Sequence, residues 1–268
     1  MAKQALHPKP GTKVNLGSFD PNDTGGYDKA SARAEERKLE ERLTELQEVL
    51  YAQGTNALLV VFQAMDAGGK DGAIKKVFDS VNPQGVHVAN FKAPTSNELA
   101  HDFLWRVHLR TPPKGYIGIF NRSHYEDVLV VRVNGLVPDN VWKARYDHIN
   151  AFERMLFDSG TRILKFYLHI SKEEQKERLQ ARLDNPEKHW KFDVNDLAVR
   201  QQWDDYMRAY EDALTRCNTD HAPWHIVPAN KKWYRNLVVT RTIVETLEDM
   251  KLAYPVQTQD LSGVTIPD

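Results

Sequence analysis

A single cysteine, Cys217, in 268 residues excludes an intramolecular disulfide and any cysteine-cluster metal site. A lone thiol of this kind is expected to be buried and inert, so redox chemistry is not the business of this chain. No apolar run reaches the roughly 18 residues that a membrane-spanning helix needs, and Met1 to Asp20 lacks the apolar centre of a secretion signal. A cytoplasmic location is therefore expected. A surplus of one charge sign is missing too: 36 Lys and Arg face 37 Asp and Glu. That balance gives no reason to expect nucleic-acid or membrane binding, and it confines any polyanion site to a local patch. Internal repeats and low-complexity tracts are absent.

What is present has the composition of a globular protein with a full core, 41% hydrophobic and 27% charged. Residues 1–27 are rich in Pro, Gly, Asn and Asp without periodicity, which predicts an N-terminal arm ordered only where it packs on the body. From Lys29 to Tyr51, Leu39, Leu43, Leu46 and Leu50 recur at spacings of four, three and four, which predicts an amphipathic helix ending near Gly54. The apolar run Ala57 to Phe62 is too short for a helix. It leads into Gly-rich sequence and then into Ile74, Val77, Phe78 and Val81 at helical spacing, hence strand, loop and helix. Further strands are expected at Val86–Phe91, Tyr116–Phe120, Ile163–Ile170 and Trp224–Val227, with helices over Leu99–Leu109 and Tyr234–Leu252. Between the fourth and fifth strands, Lys172–Leu183 and Val194–Cys217 read as two helices around the polar turn Asp184-Asn185-Pro186-Glu187. Alternation of strands and helices implies an α/β fold with a mostly parallel sheet and helices on both faces.

The loop after the first strand reads Ala64-Met65-Asp66-Ala67-Gly68-Gly69-Lys70-Asp71-Gly72. It approximates a Walker A phosphate loop, in which small residues let backbone amides curl around a phosphate and the lysine bridges its oxygens at a helix N-terminus. Two departures stand out: Ala64 occupies the place of the first glycine, and Asp71 replaces the Ser or Thr that normally holds Mg²⁺. A lysine opening a helix faces the positive end of the helix dipole, which is unfavourable without an anion. Asp66 inside the loop would repel phosphates unless a cation lay between, so the pair suggests phosphate with Mg²⁺.

A second element, Asn121-Arg122-Ser123-His124-Tyr125-Glu126-Asp127, follows a buried strand at the carboxyl edge of the sheet, where ligands of open α/β folds bind. Arg122 is a candidate phosphate fork, and Glu126 and Asp127 either cap the next helix or contribute to a metal site. The third element is Arg178 and Arg182, on one helix face, followed by Lys188, Trp190 and Lys191 in a polar loop. In a P-loop kinase a helical hairpin here is the lid, and its arginines neutralise the transferring phosphoryl group.

Taken together, these segments resemble polyphosphate kinase family 2. Phe62 to Gly72 is similar to that family's phosphate loop, Asn121 to Tyr125 to its second motif, Asp184 to Lys191 to its lid, and Trp224 to Arg235 to its last strand and following loop. The resemblance spans about residues 30 to 255. It implies a thymidylate-kinase-like P-loop kinase domain over 28–255 with a lid at about 172–217, a C-terminal tail over 256–268, and a homodimer or homotetramer. The implied activity is reversible, Mg²⁺-dependent transfer between inorganic polyphosphate and AMP, ADP or ATP, with guanine nucleotides as further candidates. Carried over by residue, Lys70 and the loop Ala67, Gly68, Gly69, Asp71 and Gly72 hold phosphate. Asp66 binds Mg²⁺, Glu126 and Asp127 supply remaining metal contacts, and Arg122, Arg178 and Arg182 stabilise the transferring group. Lys75, Lys76 and Arg208 are candidates for a polyphosphate channel. Asn121 and Glu126 depart from the Asp and Asn frequent in the family and point to the branch that accepts AMP as well as ADP. No general base is needed, because an acceptor phosphate is already ionised near neutral pH, so His124 and His189 receive no catalytic role. Trp233 and Tyr234 either stack on a base or pack on the body.

Two rival readings remain. An ATP-dependent nucleoside or nucleoside-monophosphate kinase would share the fold, but Asp71 after Lys70 disfavours it. A noncatalytic module binding nucleotide or polyphosphate would not need Lys70, Asp66, Asp127 and the lid arginines together.

Overall fold

The computed structural model of the chain describes residues 7–259 and 261–267. The first residues of the expected arm and positions 260 and 268 of the expected tail lie outside the described residues. Helix α1 spans Lys29–Gln53 and is bounded as its sequence predicts. Asp28 and Ser31 form a reciprocal capping box at its start, and Gly54 closes it in the left-handed conformation at φ 62°. Leu43, Leu46 and Leu50 are buried, and α1 packs chiefly on the last helix.

Strand β1, Ala57–Gln63, is buried along its whole length. Helix α2 follows at Lys70–Val77 and strand β2 at Val86–Asn90. Two single helical turns, α3 at Ser96–Leu99 and α4 at Trp105–His108, replace the continuous helix predicted over Leu99–Leu109. Asp102 accepts a hydrogen bond from the Leu104 amide and restarts the chain there, while Leu99 and Leu109 face solvent rather than a core. Strand β3 is Ile117–Asn121 and the single turn α5 is Val130–Val133. Helix α6, Asp139–Asp158, is absent from the sequence-based expectation. Its buried stripe of Trp142, Tyr146, Ile149, Phe152 and Leu156 has the required spacing, and of the charged residues between them Glu153 alone is buried with it.

Strand β4, Thr161–His169, leads to helix α7, Lys172–Leu183. The polar turn becomes a short 3₁₀ helix over Pro186–Lys191, begun by Asn185. The predicted second lid helix is divided into α8, Asn195–Gln201, and α9, Trp203–Arg216. Strand β5, Trp224–Pro228, and helix α10, Lys232–Asp249, complete the chain.

The five strands form one sheet in the order β2-β3-β1-β4-β5, every pair parallel. Leu59 in β1 stands opposite Gly118 in β3 and Ile163 in β4, which places β1 at the centre. Each fully buried Val, Leu or Phe of β1 stabilises the fold by about 1.5–3 kcal/mol. The parallel register brings the carboxyl ends of all five strands to one edge, so the loops after β1, β3 and β4 converge. The arm runs back along the body: Val14 and Leu16 are buried, with their amides donating to Thr215 and Glu211. Cys217 is buried as expected, and burial, ahead of the neighbouring charges, pushes its thiol up to about 12. Among the described residues no helix is long and apolar enough to cross a membrane.

Candidate active site

The loop between β1 and α2 forms a phosphate cradle from its own geometry. Ala67 and Gly69 hold left-handed backbones at φ 58° and 97°, and the Gly68 amide closes a turn on the Met65 carbonyl at 2.9 Å. A Cβ on Gly68 would stand 2.5 Å from the Ala64 Cβ and 2.7 Å from the Met65 oxygen, so glycine is required here on steric grounds. Gly69 begins α2 without a side-chain cap, which leaves the first-turn amides of that helix without protein acceptors.

Four successive loop carbonyls are held from outside. Gln175 donates to Asp66 O, Arg178 to Ala67 O and Gly68 O, and Arg235 to Gly69 O, all between 3.0 and 3.1 Å. With the carbonyls turned to these donors, the amides are free to converge on an anion. Lys70 Nζ donates to Ala64 O at 2.8 Å. Burial, followed by the charge of Arg122, lowers the Lys70 ammonium from its ordinary value. An anion in the cradle would offset both by favouring the charged form.

Beyond β3, Arg122 adopts φ 60°, a conformation that costs a non-glycine residue about 1–2 kcal/mol. It pairs with Asp66 at 2.7 Å. Asn121 donates to Asp71 at 2.7 Å and to Asn90 at 2.9 Å, tying the ends of β2 and β3 to the first turn of α2. On α7, Arg182 donates to Lys191 O at 3.1 Å and to Asp196 at 3.4 Å.

These parts enclose an open cleft of about 950 Å³. It brings together Asp66, Ala67, Gly68, Gly69, Lys70, Asp71, Gly72, Asn121, Arg122, Arg178 and Arg182, all anticipated from the sequence. Two cations that sequence reasoning left without a role also line it: Lys232 and Arg235, on the first turn of α10. Burial, then Arg178, pushes Arg235 down to about 10, and burial, then Arg178 and Arg235, lowers Lys232. Guanidinium and ammonium groups crowded in this way are the counterpart of a polyanion. The available signal was a Lys and an Arg directly after the last strand, hence at the carboxyl edge of the sheet. Lys188, Trp190 and Lys191 of the 3₁₀ segment after α7 also line the cleft, and Trp190 is 79% exposed.

Other expectations need correction. Asp127 does not reach the cleft; it pairs with Arg145 at 3.0 Å and Arg106 at 3.9 Å, which occupy its carboxylate behind β3. Glu126 lies beneath the lining, accepting from Gln63 at 2.9 Å and standing 3.9 Å from Arg122. Lys76 is held by Glu40 at 2.6 Å, Arg208 by Asp205, and Lys75 is exposed outside the lining, so the three do not form a channel here. Tyr234 is buried against the body, with its hydroxyl beside Gly25.

A metal beside the phosphate loop would have Asp66 as a ligand, one of several carboxylates that line the cleft. Among the described residues no group of three or more His, Cys, Asp or Glu could hold a metal. Mg²⁺ does not require one, since it binds through one or two carboxylates with phosphates and water. Asp196 also lines the cleft, and burial, then the charge of Asp66, raises its carboxyl to about 6.

Comparison with known proteins agrees with this geometry. A sequence profile of the family Polyphosphate kinase 2 (PPK2) matches residues 26–255. The chain is 58% identical over 249 residues to an AMP/ADP-polyphosphate phosphotransferase of Meiothermus ruber, covering 92% of this chain and 93% of that protein. It is 46% identical over 258 residues to an ADP-polyphosphate phosphotransferase of Rhodopseudomonas palustris, covering 91% and 89%. The crystal structure of polyphosphate kinase 2 from Arthrobacter aurescens superposes with a TM-score of 0.93 at 45% identity, covering 97% of this chain and 94% of that one. The phosphate loop, the parallel sheet and these likenesses together make the fold that of a P-loop kinase, and the chain belongs to the polyphosphate kinase 2 family.

Proposed function

We propose that the chain transfers a phosphoryl group from inorganic polyphosphate to AMP and ADP, giving ADP and ATP reversibly. The observation that carries this reading is the crowding of Lys232, Arg235 and Arg178 beside the phosphate loop, which extends the cationic cleft beyond what one nucleotide phosphate would use. The M. ruber relative bears the name of this activity.

In the reaction, an oxygen of the acceptor's terminal phosphate bonds to the terminal phosphorus of polyphosphate. The bond to the next phosphate breaks, and a chain one unit shorter leaves. The loop amides and Lys70 hold and neutralise the donor end, Arg235 and Lys232 its tail, and Arg122 and Arg182 the charge on the group in flight. Bound Mg²⁺, held by Asp66, would supply further charge neutralisation between donor and acceptor phosphates. Lid closure over the cleft excludes water that would hydrolyse the donor. Assembly as a cytoplasmic homodimer or homotetramer, and use of guanine nucleotides, belong to the same reading through the family resemblance.

The test is an assay of purified protein with Mg²⁺ and AMP or ADP, offering polyphosphate or ATP as donor. Turnover with polyphosphate is expected. Turnover with ATP alone would make the chain an ATP-dependent kinase, and binding without turnover a noncatalytic module.

Acceptor choice is proposed to rest on Asn121 and Glu126. With AMP the reacting oxygen lies one phosphate unit nearer the base and no β-phosphate contributes charge or metal ligands. The Glu126 carboxylate, 3.9 Å from Arg122, would compensate through that arginine. At saturating polyphosphate, Glu126→Asn is expected to lower the rate with AMP about 10-fold more than with ADP, the value of one charge-assisted hydrogen bond. Asn121→Asp, which sets a carboxylate against Asp71, is expected to act in the same direction. Equal proportional losses with both acceptors, alongside a lowered melting temperature, would make Glu126 a structural residue.

A further inference from the structure

The strained backbone of Arg122 needs restraint on both sides if its guanidinium is to stay aimed into the cleft. Upstream, its amide donates to Phe62 O at 3.1 Å. Downstream, Ser123, His124 and Tyr125 are all fully buried. Ser123 Oγ donates to Gln63 at 3.3 Å. His124 Nε2 and Tyr125 OH both donate to Glu153 Oε1, at 3.1 and 2.9 Å, and His124 Nδ1 has no partner, which places the imidazole proton on Nε2.

Behind this segment lies a charge pair without solvent. Lys165, on strand β4 beside the central β1, and Glu153, on α6, are each 0% exposed. The Lys165 ammonium spends its three donors on Glu153 Oε2 at 2.6 Å, Tyr125 OH at 2.7 Å and Cys217 O at 2.6 Å. Burial pushes the Glu153 carboxyl up, but Lys165 and His124 together outweigh it and hold it below the ordinary value. None of these groups lines the cleft. A buried pair of this kind adds little net stability over well-packed apolar residues, so its effect has to be sought in the conformation it selects.

We propose that the Lys165–Glu153 pair, with Tyr125 and His124, is a positioning device that fixes Arg122 for phosphoryl transfer and, through the Cys217 carbonyl, ties it to the end of the lid's return helix α9. The proposal deepens the functional reading above and rests on it. Four elements meet at one ammonium: β4, α6, the Arg122 segment and the chain just after α9. Shifting that ammonium moves the arginine without touching any substrate.

The test is a double-mutant cycle. Lys165→Met combined with Glu153→Gln removes both charges and leaves no lone ion. With the polyphosphate KM within about 2-fold of the original, kcat is expected to fall about 10²-fold, the effect of misplacing a group by about 1 Å. In an Arg122→Ala background the same two substitutions are expected to change kcat less than about 2-fold, because no arginine remains to be positioned. An undiminished loss in that background would overturn the proposal. Should the double variant fail to fold, Tyr125→Phe, which removes one hydroxyl, carries the same cycle with a smaller fall. A crystal structure of the folded variant answers independently of the donor. Arg122 is expected to leave the left-handed region and part from Asp66, and an unmoved Arg122 would overturn the proposal. If the unmodified protein does not use polyphosphate, the functional reading fails, and this structure alone decides the positioning role.

Discussion

Lys70→Met is expected to lower turnover at least about 10³-fold while leaving the melting temperature within about 2 °C. The two halves of this expectation share one cause. Burial and the nearby charge of Arg122 lower the Lys70 ammonium, so the folded state holds the ionised side chain less favourably than the unfolded chain does. For a lysine, that is a penalty present at every pH below the lowered value, and it fades as pH rises from there to the ordinary value. Removing the charge removes the penalty, and the methionine loses only the bond to Ala64 O. On the proposed function, phosphate binding is what the ammonium is held for. Polyphosphate is therefore expected to raise the melting temperature of the original protein and to do so far less for the variant. Turnover near the original rate in Lys70→Met would remove the phosphate-loop assignment.

The second large effect separates two arginines that the sequence presents as equals. Arg182 makes one carbonyl contact and a long pairing with Asp196, and it can swing to a phosphoryl group at little cost. Arg178 has its donors committed to Glu174, Ala67, Gly68, Ala229 and Asn230, which clamps the phosphate loop to the segment after β5. Arg182→Ala is accordingly expected to lower kcat about 10³-fold, as removal of an arginine finger does, with donor KM and melting temperature nearly unchanged. Arg178→Ala is expected to lose comparable activity by a different route. It leaves loop carbonyls without donors, costs about 1–3 kcal/mol of stability, lowers the melting temperature by several degrees and raises the donor KM. Equal melting temperatures for the two variants would show that Arg178 is a second finger rather than a clamp.

Much of the cleft was legible because phosphate chemistry restricts which residues can serve. Small residues at Ala67, Gly68 and Gly69 with Lys70 at a helix start leave few alternatives, and the strand before them places them at the sheet edge. The strands were legible because buried parallel strands read as continuous apolar runs. Helix α6 was missed because its buried apolar positions are spaced among many polar and charged residues, and the broken helix near Asp102 because a side-chain hydrogen bond restarts the chain there. Asp127, Lys76 and Arg208 share a different failure. Sequence gives a residue's charge and place along the chain but not its partner, and Arg145, Glu40 and Asp205 each claim one of them from another turn or element. Arg235 is the converse case, an arginine that only the folded chain brings beside Gly69.

On the proposed function, this cleft moves the terminal phosphoryl group of polyphosphate directly to a nucleotide. Phosphorus NMR of the purified protein with Mg²⁺, polyphosphate and AMP tests it in one experiment, with Lys70→Met as the parallel sample. The account predicts growth of the ADP β-phosphate and then the ATP γ-phosphate resonances, matched by loss of polyphosphate and without orthophosphate release, and none of this in the variant. Orthophosphate accumulating without nucleotide product, or transfer that persists in Lys70→Met, would contradict it.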